Sequence, residues 1–300
     1  MQKTFVLLLA GICGAAGAQT PTTNPMPDGS RDMYVGLGAS YSPRWDGARE
    51  HKTAALPVLQ VQWSNGIFIS GMSAGLHLSD NPAFEYGPLL TILPRRDESG
   101  LSGGLGGVSG TKTNTDLVPG GGIVPAVKAS TGYSTWTKAD ALAADSLAGI
   151  EPIPTRVVAG GFFNYYLGQH VRLTNSVQYG AGRDRNGLRY TVDLQRVASD
   201  IAPHHSLSAA AGLSLVNGAY NDTYFGVHAS VAAPLVGVDY KPGGGLKDVH
   251  ANLRWNWSLS PSWMLTSLVH VSHLQGDAAK SPLVQRSTNT TVSTALAYRF

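Results

Sequence analysis

In His270-Val271-Ser272 an imidazole and a hydroxyl stand two residues apart. On a strand that spacing puts both side chains on one face, where the imidazole could take the hydroxyl proton and make Ser272 a nucleophile for acyl transfer. The neighbours argue against it. Val269 and Val271 form the apolar set, so His270 and Ser272 point away from any lipid such a hydrolase would attack. No acidic residue is identifiable by spacing as the group that orients the imidazole. His204, His205 and His273 could ligate a metal, but no second ligand stands at a suitable spacing on a rigid element. The segment SGGLGGVSG lacks the leading strand and the closing Lys-Ser/Thr of a phosphate cradle. Gly276-Asp277 and Ser281-Pro282 read as a loop folded by turn chemistry that can line a binding surface or constriction. The expectation is a non-enzymatic chain with no catalytic residue, no metal and no cofactor.

The elements that carry these residues alternate. From Asn289 to Phe300, Thr290, Val292, Thr294, Leu296, Tyr298 and Phe300 share one face, while Asn289, Thr291, Ser293, Ala295, Ala297 and Arg299 share the other. This is a strand with one apolar and one polar side. Its ending, Tyr298 and Phe300, resembles the closing strand of bacterial outer-membrane barrels, whose terminal Phe is read by the barrel assembly machinery.

Similar alternation runs through Val35–Tyr41, Leu59–Trp63, Met72–Leu78, Phe84–Ile92, Val157–Leu167, Val171–Tyr179, Leu188–Leu194, Leu207–Leu215, Phe225–Val231, Val249–Trp257 and Trp263–Val271. Ser64-Asn65-Gly66, Gly168-Gln169 and Leu259–Ser262 supply turns. The fold class is all-β: an antiparallel transmembrane β-barrel of about twelve strands, between ten and fourteen, each near the 9–11 residues of a tilted span. Arg172, Arg189, Arg254, His270 and Ser272, with Gln178 and Asn256, fall on the polar faces and are candidate lumen residues. Trp255, Trp257 and Trp263 would form an interfacial aromatic girdle.

Composition agrees. Charged residues are only 14%, Gly numbers 36, and past the first residues no apolar run reaches the roughly 18 residues of a helical span. In a membrane such a chain satisfies its backbone only by closing a barrel. Residues 1–18 read as a signal peptide, with Lys3, an apolar run from Phe5 to Ala16, and Ala16-Gly17-Ala18 before the cut. Cys13 would mark a lipoprotein, but Ile12 precedes it where a small residue is needed. Cleavage after Ala18 leaves no cysteine and, by losing Lys3, takes the formal charge from +3 to +2. No basic tract points to nucleic acid. Residues 19–32, with Pro21, Pro25 and Pro27, form a flexible lead-in, and 33–300 the barrel. Residues 94–154, with SGGLGGVSG, PGGG and a mildly helical KADALAADSLAG, form one long inserted loop. By strict count this insert follows a strand heading toward the termini, where loops are usually short. Either it hides another strand or Phe225–Val231 is loop instead of wall.

VGLGASYSPRWDG from Val35, YNDTYFGV from Tyr220, GGGLKDV from Gly243 and HLQGDAAKSPLV from His273, followed by the YRF ending, resemble the MipA/OmpV family of outer-membrane proteins. The matching positions include Tyr224, Phe225, Gly226, Val227, Gly276, Asp277, Ser281 and Pro282, and the departure is His273-Leu274-Gln275 where the family has Arg-Leu before Gly-Asp. The resemblance implies a Gram-negative outer-membrane barrel in contact with outer-membrane lipid. It also implies a scaffold or structural role in the cell envelope, linking a lytic transglycosylase and a penicillin-binding peptidoglycan synthase. A narrow porin-like channel for small polar solutes is the alternative, and an acyl hydrolase using His270 and Ser272 the third reading.

Overall fold

The computed structural model of the chain describes residues 29–79, 83–97, 99–101, 147, 150–167, 170–228 and 239–300. The signal peptide, most of the lead-in, most of the 94–154 insertion, the Gly168-Gln169 turn and residues 229–238 lie outside the described residues.

Twelve strands close into one antiparallel barrel. In chain order they are β1 (Arg31–Pro43), β2 (His51–Trp63), β3 (Ile67–Ser70), β4 (Ser73–Leu76), β5 (Phe84–Leu93), β8 (Arg156–Tyr166), β9 (Val171–Ala181), β10 (Gly187–Ala202), β11 (His205–Val216), β12 (Gly245–Ser258), β13 (Trp263–Leu274) and β14 (Thr288–Arg299). β14 pairs with β1 to shut the ring. A two-stranded ribbon, β6 (Arg96–Asp97) with β7 (Gly100–Leu101), and two helices, α1 (Gly218–Phe225) and α2 (Gly276–Ala279), lie in the connections.

The alternation seen in the sequence sets the two sides of the wall. Val35, Leu37, Leu90, Val157, Leu253, Val271 and Val292 are exposed, while Gln60, Asn164, Thr174, Thr191, Ser214 and Asn256 from the opposite faces are buried. An apolar outer band around a polar interior inverts a water-soluble fold and suits a lipid solvent. Among the described residues the interior also holds apolar clusters: Tyr34, Leu56, Val58, Met264, Ala295 and Ala297 pack together where β1, β2, β13 and β14 meet, and Phe68, Leu89 and Phe162 pack together across β3, β5 and β8. At the end that carries the termini, Trp255 and Trp257 stack on His205, and Trp263 meets Tyr298 edge-on. Turns at this end are short, whereas the connections after β1, β5, β11 and β13 all leave from the other end. Short periplasmic turns and longer outward loops orient the barrel, with the start of β1 and the end of β14 on the periplasmic side.

Two expected strands fold differently. Met72–Leu78 is not one return strand. Gly71, at φ +56°, turns the chain, and its N–H bonds the Leu59 carbonyl, so β3 and β4 make a short hairpin within the wall. The described part of the expected strand Phe225–Val231, residues 225–228, is not wall. Asn217 caps α1 by accepting the Tyr220 N–H, and the helix runs through Phe225; Val227 then makes a lone bridge to Tyr240. The competing signal was a side-chain cap just before residues without period-2 patterning. One strand is gained and one lost. The count stays at twelve, and the 94–154 connection leaves from the outward end.

The seam between β1 and β14 depends on small inner residues. A Cβ built on Gly38 would sit 2.1 Å from the Thr294 carbonyl oxygen and 2.5 Å from the Ala295 methyl. Gly38→Val should therefore destabilise the barrel by about 1–3 kcal/mol as an overpacking change. The outward Ala39→Val should be close to neutral. The temperature at which the unboiled electrophoretic band converts to the unfolded one would report both.

Candidate functional site

Low in the lumen, polar side chains join strand to strand in a hoop. His77 pairs with Glu85 at 2.7 Å, and Asn164 and Tyr166 donate to the other Glu85 oxygen at 3.0 and 2.8 Å. Arg172 donates from Nε to Gln195 Oε1 at 2.6 Å and reaches the Tyr166 hydroxyl at 3.4 Å, and Gln195 donates to Ser208 at 2.7 Å. On the other side Thr266 donates to Asn256 at 2.7 Å. These bonds satisfy buried polar groups in the barrel interior.

Higher up, the interior carries charge. His250 is clamped between Asp248 on Nδ1 and Asp193 on Nε2, both at 2.8 Å. The pairing of β11 with β12 shifts between Ser214 and Leu215, leaving Lys247 as the extra residue of a bulge, so Lys247 and Asp248 are both buried. The Lys247 ammonium lies 3.2 Å from Asp248 and 2.8 Å from Asp46, with the Tyr220 and Phe225 rings each 6.0 Å away. It thus ties the wall to the β1–β2 loop and to α1.

Around Lys247 the outward connections fold onto each other as a cap. Trp45 packs with Ala48, Leu147, Val227 and Leu283, and its indole N–H donates to the Leu283 carbonyl at 3.2 Å. Gly47, at φ +97°, accepts the Gln285 and Arg286 N–H groups on its carbonyl; a Cβ there would meet Val284 at 2.7 Å. Phe225 packs on Leu274 and Ala278. The last three carbonyls of α1 are each met by a side chain. Arg96, from β6, donates to Thr223 and Tyr224, and Ser281 donates to Phe225 at 2.6 Å. A buried cation against a helix C-terminus is favoured by the dipole there, while burial lowers the Arg96 pKa to about 10 and pushes the Tyr224 hydroxyl up. Asp277 accepts the Gly243 N–H at 3.0 Å and pairs with Lys280, and both contacts hold its carboxyl below the ordinary range.

Asp46 is likewise held below the usual carboxylate range, chiefly by Lys247. A carboxyl depressed on folding stabilises the folded form above its unfolded pKa of about 3.9, and that stabilisation is lost as pH falls through the lower folded value. Susceptibility of the cap to limited proteolysis should therefore stay flat from pH 8 to 5 and rise only below about pH 4; Asp46→Asn should shrink that step to the part that Asp277 contributes.

The residues singled out in the sequence fall into three places. Tyr224, Phe225, Gly226, Val227, Gly276, Asp277 and Ser281 meet in the cap, with Pro282 exposed beside them. Tyr298 and Phe300 pack edge-to-face at 4.9 Å by the periplasmic rim, where the Phe300 N–H bonds the Met33 carbonyl. Arg172, Arg189, Arg254, His270 and Ser272 lie on inward faces. His270 bonds Asn252 at 2.5 Å, and among the described residues no hydrogen bond joins it to Ser272. The nearest other imidazole, His250, has both nitrogens occupied by carboxylates, so neither can take a serine proton. His204 sits in a turn, His205 against the tryptophans and His273 on the outer face with Thr288, so the three do not converge. Sequence reasoning missed the Asp193–His250–Asp248–Lys247–Asp46 chain and Arg96. The adjacent polar pair Lys247-Asp248 inside an otherwise alternating strand was the one available sign of the bulge.

Comparison with curated proteins finds no sequence match. Among solved structures, the KdgM porin in complex with disordered oligogalacturonate aligns at 7% identity and TM-score 0.35, over 90% of this chain and 99% of that one. An outer-membrane channel from Pseudomonas putida F1 aligns at 8% and 0.41, over 92% and 97%. A bacterial polysaccharide outer membrane secretin aligns at 10% and 0.41, over 92% and 100%. The family model described as MltA-interacting protein MipA matches residues 35–300, from within β1 through β14. The chain therefore belongs to the MipA family and is an outer-membrane β-barrel.

Proposed function

We propose that this barrel is a non-conducting, non-enzymatic structural protein of the cell envelope that holds murein-remodelling enzymes at the inner face of the outer membrane. The observation that carries the reading is the cap. The four segments that resemble the family converge at the outward mouth and are locked to the wall through Lys247, an arrangement suited to rigidity more than to passage. The family description, an MltA-interacting protein, supports a murein enzyme as the partner. Such a partner would meet the barrel from the periplasm, at the short turns and at the residues before β1. Export by a signal peptide cut after Ala18 belongs to the same reading. Affinity purification of the tagged full chain from envelope extract should enrich a lytic transglycosylase and a penicillin-binding synthase together; recovery of neither contradicts the scaffold.

A second reading, a narrow channel for small polar solutes, draws on lumen atoms such as Asn164 Oδ1, Gln62 Oε1 and Asn289 Nδ2, which are buried without a hydrogen-bond partner among the described residues and suit interior water. The hydrolase reading rests on His270 and Ser272 alone, and unchanged acyl-ester turnover in Ser272→Ala would dismiss it.

A further inference from the structure

At the outward end, on the quarter of the wall formed by β2, β1, β14 and β13, two arginines are left without partners. Glu50, the neighbouring acid, is engaged by Arg44 at 2.8 Å. Arg49 and Arg286 are exposed, and among the described residues neither side chain has an ion-pair or hydrogen-bond partner. Their backbones are fixed beside each other: the Arg286 N–H bonds the Gly47 carbonyl at 3.0 Å, and the Arg49 N–H bonds Gln285 Oε1 at 2.9 Å, while the Gln285 N–H shares that carbonyl at 2.8 Å. Gly47 itself is held from the wall, its N–H donating to Asn289 Oδ1 at 2.9 Å. Alongside, on the outer face, Tyr41 and His51 stack at 4.9 Å, at the upper margin of the apolar band that includes Val35 and Leu37. On the same face His273 bonds Thr288. The order from band to rim is thus apolar side chains, an aromatic pair at interface height, then two unneutralised guanidiniums on the hydrogen-bonded β1–β2 and β13–β14 connections.

We propose that Arg49 and Arg286 form a docking site for the phosphorylated glycolipid of the outer leaflet, the guanidiniums taking a lipid A phosphate and the acyl chains lying along the β1–β14 wall. Guanidinium matches phosphate in a bidentate geometry that a hydrated ammonium does not. Aromatic rings at interface height fix the vertical register of a lipid-facing wall. Cations near a membrane surface each strengthen attachment to anionic headgroups.

The test uses the full-length barrel in detergent, titrated with purified bisphosphorylated lipid A and read by native mass spectrometry of retained adducts. The wild type should hold one lipid A more firmly than the rest. Arg49→Ala/Arg286→Ala should weaken that adduct about tenfold or more, whereas Lys241→Ala, which removes an exposed cap cation elsewhere, should not. Dephosphorylated lipid A should bind the wild type as weakly as the double variant binds the intact lipid. Folding of each variant is checked by the heat-dependent band shift. Equal binding by a folded double variant, equal binding of dephosphorylated lipid A, or equal retention of phosphatidylglycerol would each overturn the assignment.

Discussion

Lys247→Met should unseat the cap while leaving the wall closed, and should lower stability by about 3–5 kcal/mol, the usual result of removing one partner from a buried ion pair. Lys247 is only 4% exposed, and its loss leaves Asp248 buried with its hydrogen bond to His250 but without its paired ammonium. Asp46, whose side chain is 47% exposed, loses its partner and is free to turn to water. The methionine chain fills similar volume, so the change tests charge more than packing. The expected readout is a band that still migrates fast when unboiled but converts at a lower temperature, together with new protease cleavage within Arg44–Glu50 or α1. Adding Asp46→Asn should then cost little more, because the two changes act on one interaction. Additive losses from the pair would show that Lys247 and Asp46 act independently.

Trp45→Ala should cost a similar amount, about 3–5 kcal/mol, by a different route. The indole is 3% exposed and lies among residues from four separated stretches: Ala48, Leu147, Val227 and Leu283. Truncation leaves a cavity that those stretches can close only by moving together, and it strands the Leu283 carbonyl that the indole N–H had satisfied. Trp45→Phe separates the two contributions. It keeps most of the packing and loses the hydrogen bond, for which about 1 kcal/mol is expected. Thermal conversion of the unboiled band measures both. Should Trp45→Ala melt with the wild type, the cap would not be part of the cooperative fold.

The wall was legible because membrane strands repeat a simple rule. Val35, Leu37 and Tyr41 against Gly36, Gly38 and Ser40 say which side meets lipid without any knowledge of pairing. Strand number was legible only as a total, since the β3–β4 hairpin turns on one left-handed glycine and α1 on one asparagine cap. Neither leaves a mark on periodicity. The cap was legible as resemblance but not as geometry. Trp45, Lys247, Phe225 and Ser281 lie in four segments spread over more than two hundred residues, and nothing local in any of them states that the others are its neighbours. The lumen arginines were placed on the polar faces, yet the charges that organise the upper interior, Asp193, Asp248 and His250, are ordinary polar residues of alternating strands until the register brings them within 2.8 Å.

The most direct test of a sealed barrel is single-channel recording in planar bilayers, with the wild type and Lys247→Met measured side by side. The account predicts a silent wild type and discrete conductance steps from the folded Lys247→Met barrel, because only the variant has lost the anchor of its cap. Steady conductance from the wild type would contradict the seal and favour a solute channel. Silence from both, with the variant's cap shown by proteolysis to be open, would place the barrier in the lumen hoop of Glu85, Tyr166, Arg172 and Gln195 and not in the cap.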